Sequence, residues 1–213
     1  MLRHTFTAPP FYKNGFLVGC EATGEAVVID PGDEVEEVIA AARRERLTVT
    51  HILLTHAHLD HITGVGRARA EFGVDVYLHE ADRPLYEAVV QQGQMFGLRV
   101  SPQPPVDRFY TPGERIRFGG YEVRVHHTPG HSPGGVCLEL AGVGPGVAEL
   151  FVGDTLFAGS IGRTDLPGGD HATLIRSITT VLFAFGDEAR VCPGHGGETT
   201  IGRERLTNPF LQG

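Results

Sequence analysis

Apolar residues along this chain recur with two periods, and the changes from one to the other outline its elements. Between residues 3 and 30 the apolar runs Phe16-Leu17-Val18 and Ala26-Val27-Val28-Ile29 alternate with turn signals such as Ala22-Thr23-Gly24, which predicts an antiparallel meander. Asp30-Pro31-Gly32-Asp33 breaks it. Asp33 is the expected N-cap of a helix whose Val35, Val38, Ile39 and Ala42 fall at i, i+3, i+4 and i+7. Residues 48–54 read as a strand ending in Ile52-Leu53-Leu54. A helix over 63–72, weakened by Gly64 and Gly66, leads to a strand over 74–78 and a helical pattern over 80–92. Residues 101–105 form a proline-rich connection. Strands over 115–118 and 121–125 flank Gly119-Gly120, a hairpin signal. A Gly-rich stretch over 140–148 reads as a surface turn, followed by a strand over 149–152. After a loop over 159–170, Leu174, Ile175, Ile178, Val181, Leu182 and Phe185 trace one face of a helix, and a strand-like run covers 189–191. Two β-rich halves, each with helices, predict two sheets packed face to face with helices outside.

Composition narrows the class. A chain of 213 residues suits one domain, 1–213, with a substantial core. A formal net charge of −8 argues against a nucleic-acid partner, which needs a basic surface to displace counterions from phosphates. Cys20, Cys137 and Cys192 are odd in number and lack C-x-x-C spacing, so neither a disulfide framework nor a zinc ribbon is expected. The N-terminus has no apolar signal-peptide segment, and no apolar run approaches the roughly 20 residues of a membrane span. A cytoplasmic protein with no membrane partner is expected.

The chemistry concentrates in Thr55-His56-Ala57-His58-Leu59-Asp60-His61, directly after the strand over 48–54. Residues at i and i+2 point the same way on extended or irregular backbone and lie about 200° apart on a helix, so His56 and His58 can clamp one metal only off a helix. Asp60 and His61, further round the turn, can face a second position. Four residues are too few for two metals, and more candidates follow: His131 in Thr128-Pro129-Gly130-His131-Ser132-Pro133-Gly134-Gly135, Asp154 in Phe151-Val152-Gly153-Asp154-Thr155, and His195 in Pro193-Gly194-His195-Gly196-Gly197. Each lies at or past the end of a strand-like run and is flanked by glycine, which permits the tight turns that aim a ligand from a strand end.

The ordered set T-H-x-H-x-D-H, T-P-G-H-S-P-G-G, G-D-T-L-F and P-G-H-G resembles the metallo-β-lactamase superfamily, in particular its glyoxalase II-like (hydroxyacylglutathione hydrolase) branch of short, single-domain type. The resemblance runs from about residue 15 to 210. It implies an α/β (α+β) fold, the four-layer αββα sandwich. It further implies that His56, His58 and His131 bind one divalent metal ion, that Asp60, His61 and His195 bind a second, and that Asp154 bridges both. Imidazole and carboxylate suit Zn(II), and also Fe(II) or Mn(II). The implied activity is hydrolysis of a thioester such as S-2-hydroxyacylglutathione (lactoylglutathione), with Asp60 orienting the attacking water. By analogy with the longer enzymes, Arg163 contacts the glutathione moiety.

Alternatives stand beside this reading. Gly162-Arg163-Thr164-Asp165 also resembles the persulfide dioxygenases, which would use one Fe(II) on His56, His131 and Asp154. A non-catalytic metal-binding module is the third reading. A β-lactamase is disfavoured, because those enzymes generally lack a histidine at the position of His61. Gly197 and Asp165 stand where the longer glyoxalase II enzymes carry tyrosines, which thins the expected grip on glutathione. His171, whose segment Gly169-Asp170-His171 faces the loop over 159–170, is the further histidine to watch, Cys192 is expected in the core, and the tail around Arg203 and Arg205 reads as a charged terminal helix turn or a binding element.

Overall fold

The computed structural model describes residues 1–141 and 147–212, so the centre of the Gly-rich turn expected over 140–148 lies outside the described residues. The chain divides into two compact units, one of Met1–Tyr110 with Phe118–Gly120 and one of Thr111–Arg117 with Tyr121–Gly213.

In the first unit the expected meander is present as β1 (Leu2–Ala8), β2 (Lys13–Gly19) and β3 (Glu25–Ile29), antiparallel with Phe16 opposite Ile29 and Val18 opposite Val27. Helix α1 (Val35–Arg44) then crosses over to β4 (Thr48–Leu53), which runs parallel to β3 with Val28 opposite Ile52. Parallel neighbours need such crossovers. The next one holds α2 (Leu59–Ile62) and α3 (Val65–Phe72) and ends in β5 (Val76–Leu78); the last holds α4 (Arg83–Glu87) and α5 (Val89–Met95) and ends in β6 (Arg108–Phe109). The sheet order is β1-β2-β3-β4-β5-β6. Its core gathers Leu17, Val28, Ile39, Ile52, Leu54 and Ile62.

Three expectations in this unit change. The N-cap of α1 is Glu34, without a side-chain cap bond, while Asp33 accepts from the Thr63 hydroxyl at 2.9 Å. Glu34 is drawn inward by the buried Lys13, whose Nζ donates to Glu34 Oε1 at 2.7 Å and also to the Asp30 carbonyl. Both side chains are about 2% exposed, so each charge depends on the other. The helix expected over 63–72 starts only at Val65, as α3, and the unexpected α2 over Leu59–Ile62 is broken off from it at Gly64, where a Cβ would come within 2.3 Å of the Gly32 carbonyl oxygen. The pattern over 80–92 likewise breaks at Ala88.

The second unit carries β7 (Arg115–Phe118), β8 (Tyr121–His127), β9 (Val136–Ala141), β10 (Glu149–Gly153), the small pair β11 (Leu156–Phe157) and β12 (Ser160–Ile161), α6 (His171–Thr180), β13 (Arg190–Pro193), β14 (Thr199–Thr200) and α7 (Ile201–Thr207). Its main sheet has the order β14-β13-β10-β9-β8-β7, and β11 pairs with β12 apart from it. Strands β10 and β13 run parallel, with α6 between them in the chain, while β8, β9 and β10 run antiparallel in turn. Leu150, Val152, Leu174, Ile178, Leu182 and Val191 form the core. The helix expected to reach Phe185 ends at Thr180. There the hydroxyls of Thr179 and Thr180 bond back to Ile175 and Arg176 carbonyls at 2.8 and 2.7 Å, a local competition that weakens a helix end, and residues 182–184 tighten into a 3₁₀ turn.

Candidate metal centre

Each unit gathers part of the predicted ligand set where strands end. In the first, β4 ends at Leu53 and the chain leaves the sheet with His58 extended (ψ 152°) before α2 begins. The imidazoles of His56 and His61 have ring centroids 4.0 Å apart, and those of His56 and His58 are 4.9 Å apart. All three are buried, His61 fully. Asp60 lies on the first turn of α2, with its carboxylate 3.8 Å from His61 Nε2.

Asp30, at the end of β3, organises this cluster. Its carboxylate is 1% exposed and accepts from the Thr55 amide at 2.7 Å, the Thr55 hydroxyl at 2.6 Å and His61 Nδ1 at 2.9 Å. Because the Thr55 proton goes to a carboxylate, which only accepts, the hydroxyl lone pair is directed to His56 Nδ1 at 3.1 Å. One carboxylate thus fixes the tautomers of two histidines and would make Nε2 of each the atom to meet a metal ion, as outer-shell carboxylates do in metal sites. Asp30 holds a positive φ of 50°, which is uncommon outside glycine. In the sequence it reads only as a turn-former; the available signal was an acidic residue at the end of a parallel strand beside the histidine-bearing one.

A second support comes from the α4–α5 crossover. Buried Asp82 accepts from the Ala57 amide at 3.0 Å. The Gln92 amide donates to Ala57 O at 3.0 Å and to Leu85 O at 2.8 Å, and its Oε1 accepts from the Leu59 amide at 3.0 Å. The peptides on both sides of His58 are therefore held by side chains that the sequence pattern did not single out.

In the second unit, Asp154 follows β10 and His195 follows β13, both at carboxyl ends of the parallel pair, where open α/β sheets commonly place their sites. Asp154 Oδ2 lies 3.6 Å from His131 Nε2 and 3.5 Å from His195 Nε2. His131 Nδ1 donates to the Arg163 carbonyl at 2.7 Å, which commits Nε2 to the side of Asp154. Glycine permits this closeness: at Gly162 a Cβ would meet Asp154 O at 1.8 Å, and at Gly130 (φ 134°) it would meet the Leu174 amide nitrogen at 2.3 Å.

The donors fit a divalent cation. Imidazole nitrogens with fixed tautomers and nearby carboxylates are the chemistry such ions select, and within the first unit alone the His56 ring lies 4.0 Å from that of His61 and 4.9 Å from that of His58.

The other candidates divide. Arg163 places its backbone against His131, but its guanidinium is exposed and forms a bidentate pair with Asp165, Nε to Oδ1 at 2.7 Å and Nη2 to Oδ2 at 2.6 Å. His171 opens α6 with an exposed side chain, and the cap of that helix is Asp170, which accepts from the Thr173 amide at 2.7 Å. Cys192 is buried in β13, and none of the three cysteines is in a disulfide. In the tail, fully buried Glu204 accepts from the Gly159 amide, the Thr199 hydroxyl and the Asn208 amide, so this segment anchors the β11–β12 turn. Among the described residues no helix is long and apolar enough to cross a membrane.

Comparison with known proteins agrees with the geometry. The family model of the metallo-beta-lactamase superfamily matches residues 8–195. A hydroxyacylglutathione hydrolase, GloC, of Haemophilus influenzae is 39% identical over 188 residues, 87% of each chain. Among solved structures, the B3 metallo-beta-lactamase BLEG-1 superposes with a TM-score of 0.90 at 39% identity over 100% of both chains. TTHA1623 in a di-iron-bound form gives 0.85 at 41% identity over 98% of this chain and 100% of that one. ETHE1 from Myxococcus xanthus gives 0.81 at 28% identity over 98% and 84%. By sequence and by fold, this chain belongs to the metallo-β-lactamase superfamily.

Proposed function

We propose that the chain is a metal-dependent thioester hydrolase, with S-2-hydroxyacylglutathione as its substrate type, and that its two units act as one domain with one binuclear centre. In this reading His56, His58 and His131 hold one ion, Asp60, His61 and His195 hold the other, and Asp154 is shared. When bound, such ions supply Lewis acidity towards the thioester carbonyl and acidify water to near-neutral pKa. The chain's own groups do the rest. Asp60 orients the attacking water, Asp30 holds His56 and His61 in one tautomer, the Arg163 carbonyl does the same for His131, and the Arg163 side chain faces the substrate. Water adds to the carbonyl carbon, the carbon–sulfur bond breaks and the thiol leaves.

The observation that carries this reading is the size of the donor set. The two clusters hold seven candidate ligands, where a mononuclear iron site of the two-His-one-carboxylate kind needs three. The likeness to GloC over most of both chains supports the thioester as substrate. A second reading, a persulfide dioxygenase, is favoured by the likeness to ETHE1 and by the Gly162-Arg163-Thr164-Asp165 run. The sequence argument from His61 against β-lactam hydrolysis stands opposite the likeness to BLEG-1.

One assay series separates the three. Thiol release from lactoylglutathione is followed with a chromogenic thiol reagent, oxygen uptake with glutathione persulfide by electrode, and β-lactam opening by loss of ring absorbance. Thiol release without oxygen uptake is expected, with β-lactam turnover lower by orders of magnitude. Robust oxygen uptake with no thioester cleavage decides for the dioxygenase.

A further inference from the structure

The Arg163–Asp165 pair bears on what this site accepts. Both side chains are exposed, at 54% and 68%, yet the backbone beneath them is fixed. The Arg163 carbonyl is held by His131 Nδ1 at 2.7 Å, Gly162 packs against Asp154 O, and at Gly169 a Cβ would meet Thr164 O at 2.4 Å. The backbone that carries the guanidinium is therefore held beside two of the proposed ligands. A guanidinium has two two-pronged faces for a carboxylate, Nε–Nη2 and Nη1–Nη2, and here Asp165 takes the first. The remaining N–H groups, on Nη1 and the outer side of Nη2, belong to a cation whose charge is already matched, so they suit a neutral carbonyl better than a second carboxylate.

We propose that Asp165 is a specificity-determining residue: by pairing with Arg163 it matches the charge of the guanidinium, so that this loop gives a thioester with a carboxylate-bearing thiol portion little advantage over one with an uncharged thiol portion. This deepens the thioesterase reading and rests on it for the placing of Arg163 towards substrate. Glutathione thioesters are then turned over without a carboxylate grip from Arg163. Arg163 holds the Asp165 carboxyl down at about 2, so the pair persists at any pH suited to assay.

The test uses the metal-loaded full chain and the near-isosteric Asp165→Asn, which removes the competing charge and keeps the size. Two thioesters are compared, S-lactoylglutathione and S-lactoyl-N-acetylcysteamine, the latter without carboxylates. The ratio of kcat/KM values is expected to move about five- to twentyfold towards the glutathione thioester, through KM, as one additional charge-assisted hydrogen bond to substrate would give. Arg163→Ala in the Asp165→Asn background should abolish that shift, while in the wild-type background it should change the ratio by less than about threefold. Binding of S-methylglutathione is measured in parallel by calorimetry and should tighten by a similar factor in Asp165→Asn. If the wild-type chain cleaves neither thioester, the hydrolase reading fails, and the calorimetric comparison alone decides the role of Asp165. A ratio and a binding constant both unmoved by Asp165→Asn, or a shift that survives loss of Arg163, would overturn the proposal.

Discussion

Asp30 shows how much of a site a single residue can hold. It reaches no predicted ligand through the chain, yet it bonds His61 directly and His56 through Thr55, and its three accepted bonds leave little room for water. Asp30→Asn keeps the shape but turns one of its two acceptors into a donor, which must then face a donor already in place. Loss of about 1–3 kcal/mol in unfolding free energy is expected from the mismatched buried group. Metal affinity should fall by about 10- to 100-fold, as when other outer-shell partners are removed. Competition against a chelator of known affinity reads the second effect separately from the first. Unchanged affinity in a destabilised but folded variant would reduce Asp30 to a turn residue, which is how the sequence alone presents it. Lys13 carries a related lesson: the apolar pattern does not single it out, and only the fold brings Glu34 to it from 21 residues away.

At the scale of elements, α5 acts on the histidine loop through one side chain. Gln92 bonds the peptides on both sides of His58, so its replacement by Met leaves the Ala57 carbonyl and the Leu59 amide without that partner. A loss on the order of 1–3 kcal/mol is expected in urea unfolding. Hydrogen exchange of the Leu59 amide should speed up on the order of tenfold beyond what the global loss produces. A uniform rise in exchange across the chain would mean that Gln92 supports the core and not the loop. The strands that carry or precede ligands, β4, β8, β10 and β13, were legible because apolar runs ending in glycine or histidine clusters leave few alternatives. Two-residue β6 carries too short a pattern to register, and the breaks at Gly64 and Ala88 depend on packing that periodicity does not encode. The supports of the ligands escaped for the same reason. Asp82 and Gln92 meet Ala57 from 25 and 35 residues away, and nothing local to either marks it as polar interior.

For the molecule as a whole, the central expectation is metal content. With donors supplied by both units, the proposed centre should hold about two transition-metal ions per chain when the protein is purified without added metal. Ions that bind only the folded chain stabilise it by mass action, by about 2.7 kcal/mol when free metal stands at 100 times its Kd. For a chain of this length about 1 kcal/mol corresponds to roughly 2–4 °C in melting temperature, so loss of each ion should lower Tm by about 5–11 °C and full chelation of both by about 11–22 °C, and metal should restore it. The same titration separates the competing readings without any turnover measurement. A binuclear centre predicts that metal uptake, read by elemental analysis after desalting, continues past one equivalent of added metal and levels off near two. Iron at a single equivalent per chain, with no further uptake by elemental analysis in excess metal, would exclude the shared role of Asp154 and leave the mononuclear dioxygenase as the reading to pursue.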